Sequence, residues 1–222
     1  MKENKPRSEM SSRPKQLVGA AVIACLLTLC LAHALADEPG FTPLFDGTTF
    51  AGWEGNQQVF RIQDGAIVGG SLQHPLKQNE FLCTTNVYAN FELRLKFKLR
   101  GTEVNGGVQI RSHRVPGNEV SGYQADLGQT YWGNLYDESR RNKTLVQVDQ
   151  VEVKKVLKLE DWNDYRIRCQ GKHIQLWVNG QPTVDYTEPE PNIEQTGIIG
   201  LQIHSGPAAE AWYKDIEIKP LP

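Results

Sequence analysis

The sequence predicts an all-β fold, a two-sheet antiparallel sandwich, and three observations carry that expectation. Strand-like runs of period two recur from residue 41 to residue 218, separated by Gly, Pro, Asn and Asp. No stretch beyond residue 36 keeps the i, i+3, i+4 apolar spacing of an amphipathic helix. Asp64-Gly65 and Asn179-Gly180 each stand between two such runs, where a two-residue hairpin turn needs residues that accept positive φ. About a dozen short strands without crossover helices close as a sandwich or jelly roll.

The start of the chain stands apart. Residues 1–16 carry five Lys/Arg and two Glu, and residues 17–36 are apolar apart from Gly, Thr and His. Ala34-Leu35-Ala36 supplies the small-x-small pattern of a cleavage site. The expectation is a signal peptide over residues 1–36 and an exported chain, periplasmic or extracellular, beginning at Asp37. The apolar run is also long enough for an uncleaved anchor. Val22-Ile-Ala-Cys25 resembles a lipobox, but the apolar run continues well past Cys25. After processing no membrane span is expected. Residues 37–222 suffice for a single well-buried domain.

Removing the leader takes the formal charge from −2 to −5, since five Lys/Arg and two Glu go with it. That balance offers nothing to nucleic acid or to anionic lipid. Cys83 and Cys169 are the cysteines of the remaining chain. They are expected either as a disulfide or as two buried thiols. No Cys/His spacing suggests zinc, no aspartate-rich loop calls for calcium, and no cofactor is expected. The sequence carries no signature of a particular oligomeric state.

The strands follow in order. Short apolar runs at residues 60–62, 66–68 and 81–83 come first. Residues 91–99 then alternate as an open solvent-facing strand does, with Glu92, Arg94, Lys96 and Lys98 opposite the apolar set. Residues 105–112, 122–127 and 200–204 differ from it. Their apolar face carries Val108, Ile110, Tyr123, Ala125, Leu127, Leu201 and Ile203. Their other face carries Gln109, Arg111, Gln124, Asp126, Gln202 and His204. Amides both donate and accept, so this face suits a polyhydroxylated ligand better than bulk water. Residues 165–169, 173–178, 183–186, 197–204 and 211–218 complete the strands. Residues 113–122 and 128–144 are the longer irregular segments, and such loops often carry or cover a site.

These residues resemble, in order, a known family. Leu44-Phe-Asp-Gly47 with Gly52-Trp53 is similar to an LFDG…GW start. Phe60-Arg-Ile-Gln-Asp-Gly65, Tyr88-Ala-Asn-Phe-Glu-Leu93 and Asn105-Gly-Gly-Val-Gln-Ile-Arg111 match its later segments. So do Asp161-Trp-Asn163, Val178-Asn-Gly180 and the closing Gly197-Ile-Ile-Gly-Leu-Gln-Ile-His204. Over residues 41–219 the chain resembles the 3-keto-disaccharide hydrolase family, once a domain of unknown function. The resemblance implies a concanavalin-like jelly roll and a sugar substrate. One departure stands out. Where the family often reads Tyr-Glu-x-Gln, this chain reads Tyr123-Gln-Ala-Asp126, moving the carboxylate one pleat, about 6.5–7 Å, along the strand.

Direct glycoside hydrolysis uses two carboxylates. The expected face supplies one, Asp126, with Glu119, Asp137 or Glu138 able to reach in from loops. A 3-keto sugar opens an elimination route, needing one base, a clamp for the enolate oxygen and a proton donor. The expected roles are Asp126 or His204 as base, Arg111 as clamp, and Gln109, Gln124 and Gln202 as hydroxyl readers. Tyr131 and Trp132 are expected to stack on the sugar. Each has an ordinary alternative: His204 bonding a carbonyl, an Arg111–Asp126 ion pair, Asp126 capping a turn, and the aromatic pair anchoring its loop. At the level of the whole chain the alternative is a lectin-like module without catalysis, since such folds host both.

Overall fold

The computed structural model describes Met1 and residues 39–222; the expected leader otherwise lies outside the described residues. The early strands are β1 (Thr42–Pro43), β2 (Trp53–Glu54), β3 (Phe60–Gln63), β4 (Ala66–Ser71), β5 (Glu80–Thr84) and β6 (Phe91–Gly101). The middle of the chain gives β7 (Asn105–Val115), β8 (Glu119–Gly128), β9 (Leu135–Glu138), β10 (Lys143–Val146) and the short α1 (Gln150–Lys154). Then follow β11 (Asn163–Gln170), β12 (His173–Val178), β13 (Gln181–Thr187), β14 (Ile198–Ile203) and β15 (Ala209–Pro220). One sheet runs β13-β12-β11-β6-β15-β4-β3 with β1 also on β15; the other runs β10-β9-β8-β7-β14-β5-β2. Every named pair is antiparallel, as the sequence predicts for a sandwich.

Alternation decides which side chains meet between the sheets. Val108, Ile110, Tyr123, Ala125, Leu127, Leu201 and Ile203 are all buried there, against Leu93, Leu95, Phe97, Tyr165 and Ile167 of the facing sheet. Both expected hairpin turns form, with positive φ at Asp64 and Gly65 and at Asn179 and Gly180. Helix α1 was not legible: Asp149 caps it through a bond from the Val151 N–H, but only Val153 is buried. Cys83 and Cys169 are separate, buried free thiols, and burial pushes them up to about 11 and about 12.

Part of the irregular segment 113–122 is strand, and it is bent. The β7–β8 ladder shifts register between Ile110 and His113, where Arg111 takes φ 48°. Gly122 faces this bulge with φ 152°, and a Cβ there would lie 2.3 Å from Ser112 Oγ. The bend carries the hairpin tip across the outer face of the seven-stranded sheet. Val120 packs on Phe81 and Cys83 of β5, while Arg114 donates to the Glu54 carbonyl at 2.8 Å and pairs with its carboxylate at 2.9 Å. An outer sheet face with this cover is no longer a solvent face.

Candidate functional site

Under the edge of that arm lies the polar set expected from the sequence. Gln109, Gln124 and Asp126 form a directed chain on β7 and β8. Ser112 Oγ donates to Gln109 Oε1 at 2.8 Å, Gln109 Nε2 to Gln124 Oε1 at 2.6 Å, and Gln124 Nε2 to Asp126 Oδ1 at 2.8 Å. Gly107 makes room for it, because a Cβ there would stand 2.7 Å from the Gln124 side chain. From across the core, the Tyr213 hydroxyl donates to the Gln202 carbonyl at 2.7 Å, with the Gly107 carbonyl at 3.3 Å, fixing the strands beneath the site. Gln202 itself is fully buried, and its side-chain amide lies against the Glu138 carboxylate, whose charged form it favours.

Two carboxyl groups titrate abnormally here. Burial pushes Asp126 up to about 7; the Gln124 hydrogen bond works against that, and the nearby Glu138 reinforces it. Burial likewise pushes Glu138 up to about 7, reinforced by the charge of Glu119 and opposed by the nearby Gln202 amide. Tyr136, between them on β9, has its phenol raised by burial and then by both carboxylates. Asp126 and Glu138 are thus two carboxyls of one face that change charge near neutral pH, the range in which a general acid and a general base work.

Three expected positions are corrected. Arg111 leaves the polar face because its left-handed backbone at the bulge reverses the alternation. Its fully buried guanidinium ties the two sheets at one end of the sandwich, donating to the carbonyls of Ala89 and Gly171, to Gln195 Oε1 and to Asn90 Oδ1. It makes no ion pair with Asp126. Trp132 is a core residue, stacked on Phe97 at 6.1 Å, and not a sugar platform. His204 lies just beyond β14, half-buried, with Nδ1 2.7 Å from the Ser205 carbonyl, and no hydrogen bond links it to Asp126. Tyr131 does stay exposed, near Tyr136.

The sequence reading underweighted Glu138 and Tyr136. They alternate in burial with Leu135 and Asp137, which point inward, but the inward Asp137 is charged and Tyr136 is aromatic, so apolar periodicity does not reveal the strand. The strand is short and lies within the segment expected to be irregular, residues 128–144. Asp137 faces away from the site, paired with Arg140 and Arg141 in a buried cluster that includes Glu188. Among the described residues no group of three or more His, Cys, Asp or Glu is arranged to hold a metal ion.

Comparisons with known proteins agree with this geometry at the level of fold. No curated protein matches the chain. A Parabacteroides distasonis protein named provisionally as a glycosyl hydrolase superposes with TM-score 0.62 at 20% identity, covering 82% of this chain and 94% of its own. A Bacillus subtilis protein with a galectin-like fold superposes with TM-score 0.61 at 10% identity, covering 81% and 94%. The carbohydrate-binding module CBM66 from Bacillus subtilis superposes with TM-score 0.58 at 11% identity, covering 76% and 95%. The model of the 3-keto-alpha-glucoside-1,2-lyase-like domain matches residues 40–219, nearly the whole described chain, and the protein belongs to that family.

Proposed function

We propose that the protein cleaves the glycosidic bond of 3-keto glycosides by elimination, followed by hydration, on the outer face of the seven-stranded sheet. The observation that carries this reading is the buried donor chain from Ser112 through Gln109 and Gln124 that ends on Asp126, with the second buried carboxyl, Glu138, close enough to act on its charge. The family supports a carbohydrate-active role.

In this reading Asp126 is the base. It ends the donor chain from Ser112 through Gln109 and Gln124, which favours its ionised form. A ketone at carbon 3 acidifies the proton on carbon 2. Asp126 takes that proton, the electron pair forms the enolate, and in this reading the Gln202 amide turns an N–H to its oxygen. The enolate then re-forms the ketone as the C1–O bond breaks, and Glu138 gives its proton to the departing oxygen. Water next adds to carbon 1 of the C1=C2 enone and yields a proton to Glu138. The Asp126 carboxyl proton exchanges with solvent while the enone stands, Asp126 then delivers a solvent-derived proton to carbon 2, and both carboxyls are restored. Gln109 and Gln124 keep their hydroxyl-reading roles only at their edges, since most of their polar atoms already serve the chain.

Incubating residues 37–222 with a 3-keto disaccharide and its unoxidised parent in deuterated water tests the proposal. The expected result is cleavage of the ketone alone, with deuterium at carbon 2 of the released keto sugar. Equal turnover of the parent, or no deuterium at carbon 2, overturns it. Binding without turnover of either sugar establishes the lectin-like alternative instead. The reading carries with it export of the chain and removal of residues 1–36.

A further inference from the structure

A second aromatic and polar set lies on the outer face of the other sheet, on the side of the sandwich away from Asp126 and Glu138. Strand β12 turns Ile174, Leu176 and Val178 into the core and leaves His173, Gln175 and Trp177 on the outer face. The edge strand β13 sets Pro182 beside Trp177 and Asp185 beside Gln175, and the ladder shifts register between those two pairs. There an open groove of about 330 Å³ is lined by Gln175, Trp177, Pro182, Thr183, Val184 and Asp185. Its walls are held in place by the fold. Arg166 stacks over the Trp177 ring at 4.4 Å, and its Nε and Nη2 both donate to the buried Glu92, at 2.9 Å each. Arg166 does not line the groove, so it backs the indole and leaves the ring's other side to the groove. Asp185 accepts from Gln175 Nε2 at 2.9 Å through one oxygen and lies 2.7 Å from His173 Nε2 through the other. Each carboxylate oxygen keeps further acceptor capacity, and Gln175 Oε1 has no hydrogen bond among the described residues.

We infer that this groove is a second, non-catalytic carbohydrate site that seats one pyranose of a neutral glycan. The C–H face of the sugar lies on Trp177 and Pro182, and hydroxyls at its edge donate to Asp185 and to Gln175 Oε1. Trp177 and Gln175 stand two residues apart on one strand face, about 6.5–7 Å, a span that a single pyranose with its hydroxyls bridges. Charge selects the class of sugar. The one formal charge lining the groove is the Asp185 carboxylate, and the Arg166 cation behind the indole is paired with Glu92. A uronic or sulfated sugar therefore meets repulsion where a neutral one does not. The site goes beyond the elimination reading and does not depend on it. A glycan held here keeps the chain at its surface while the opposite outer face stays open for chemistry.

The test follows the indole N–H resonances of residues 37–222, which hold every described strand, by nitrogen-15 NMR. The probes are neutral hexasaccharides of glucose, mannose, galactose and N-acetylglucosamine, with a hexasaccharide of uronic acid as the charged control. Trp177→Phe assigns the Trp177 resonance. The expected result is a saturable shift of that resonance with at least one neutral probe and none with the uronic one. Trp177→Ala should weaken binding of that probe by about tenfold or more. Gln175→Ala, which leaves the platform in place, should weaken it by about threefold or more at an unchanged melting temperature. No shift with any neutral probe overturns the inference, and so does an equal shift with the uronic one. Affinity that survives in both variants places the glycan elsewhere and likewise overturns it. A chain that binds at Trp177 but turns over no 3-keto glycoside keeps this site and loses the elimination reading; turnover with no shift at Trp177 does the reverse.

Discussion

Gln124 donates from Nε2 to Asp126 Oδ1 at 2.8 Å, and its own Oε1 is occupied by Gln109 at 2.6 Å, so its amide orientation is fixed from both ends. This relationship gives a physical meaning to the Tyr123-Gln-Ala-Asp126 sequence. The amide is the last donor in a chain whose acceptor is the site carboxylate, and a carboxylate that accepts such a bond is held toward its charged form.

Replacing that donor should move the acid side of catalysis. Gln124→Leu removes the bond that favours ionised Asp126, so its midpoint should rise above about 7 and the acidic limb of kcat/KM should shift to higher pH. Gln124→Glu should shift it in the same direction, since a second negative charge would face Asp126. A pH profile unchanged in both variants would remove Asp126 from the role of base.

Asp126→Asn and Glu138→Gln should each lower turnover by roughly two to four powers of ten, the scale of general acid–base catalysis. The Asn variant should also abolish exchange of the carbon 2 proton, because no base remains to remove it. The Gln variant should retain exchange and lose cleavage, most clearly for poor leaving groups. If Glu138→Gln instead loses exchange and keeps cleavage of poor leaving groups, the two roles are reversed.

Arg111 gives a different expectation. Its guanidinium saturates two carbonyls and two side-chain oxygens at the sandwich end. Arg111→Met should destabilise the fold by about 2–4 kcal/mol through those abandoned acceptors. Turnover below the variant's melting transition should change little. A folded variant with activity reduced a hundredfold would return Arg111 to the chemistry.

These contrasts show what was legible in the sequence. The two sheets and the buried sets on β7, β8 and β14 follow from period-two alternation, and three amides and Asp126 land on one face for the same reason. Arg111 fails because a single left-handed residue inside a strand reverses the alternation beyond it, and an arginine side chain gives no warning of that backbone. Trp132 fails because tertiary packing on Phe97 settles whether a loop aromatic is platform or core. Glu138 was legible only as one of three acids able to reach in from loops, because its strand is four residues long.

The expected leader gives a prediction independent of the site. Protein recovered from its native host should have an amino terminus near Asp37 by mass spectrometry, following Ala34-Leu35-Ala36. Recovery of the intact amino terminus in the membrane fraction would favour the anchor.

Stability should oppose function at neutral pH. Asp126 and Glu138 rise from ordinary values of 3.8 and 4.5 to about 7 in the fold, so between roughly pH 4 and 7 the folded chain binds more protons than the unfolded one. Stability from these two groups is therefore greatest when both are protonated, declines as pH rises through that window, and levels off above it. Glu188 works with the opposite sign. Burial opposes its charge, but bonds from Arg141, Tyr123 and Tyr186 outweigh that and hold it down at about 2. Its contribution is present above about pH 4.5 and is lost as pH falls toward 2. Melting temperature should accordingly peak in mild acid. Asp126→Asn removes one buried charge and should raise the melting temperature at pH 8 more than at pH 4.5, while lowering turnover by the factor given above. An equal change at both pH values would mean that Asp126 is not strained by ionisation, and the near-neutral pair would lose its physical basis.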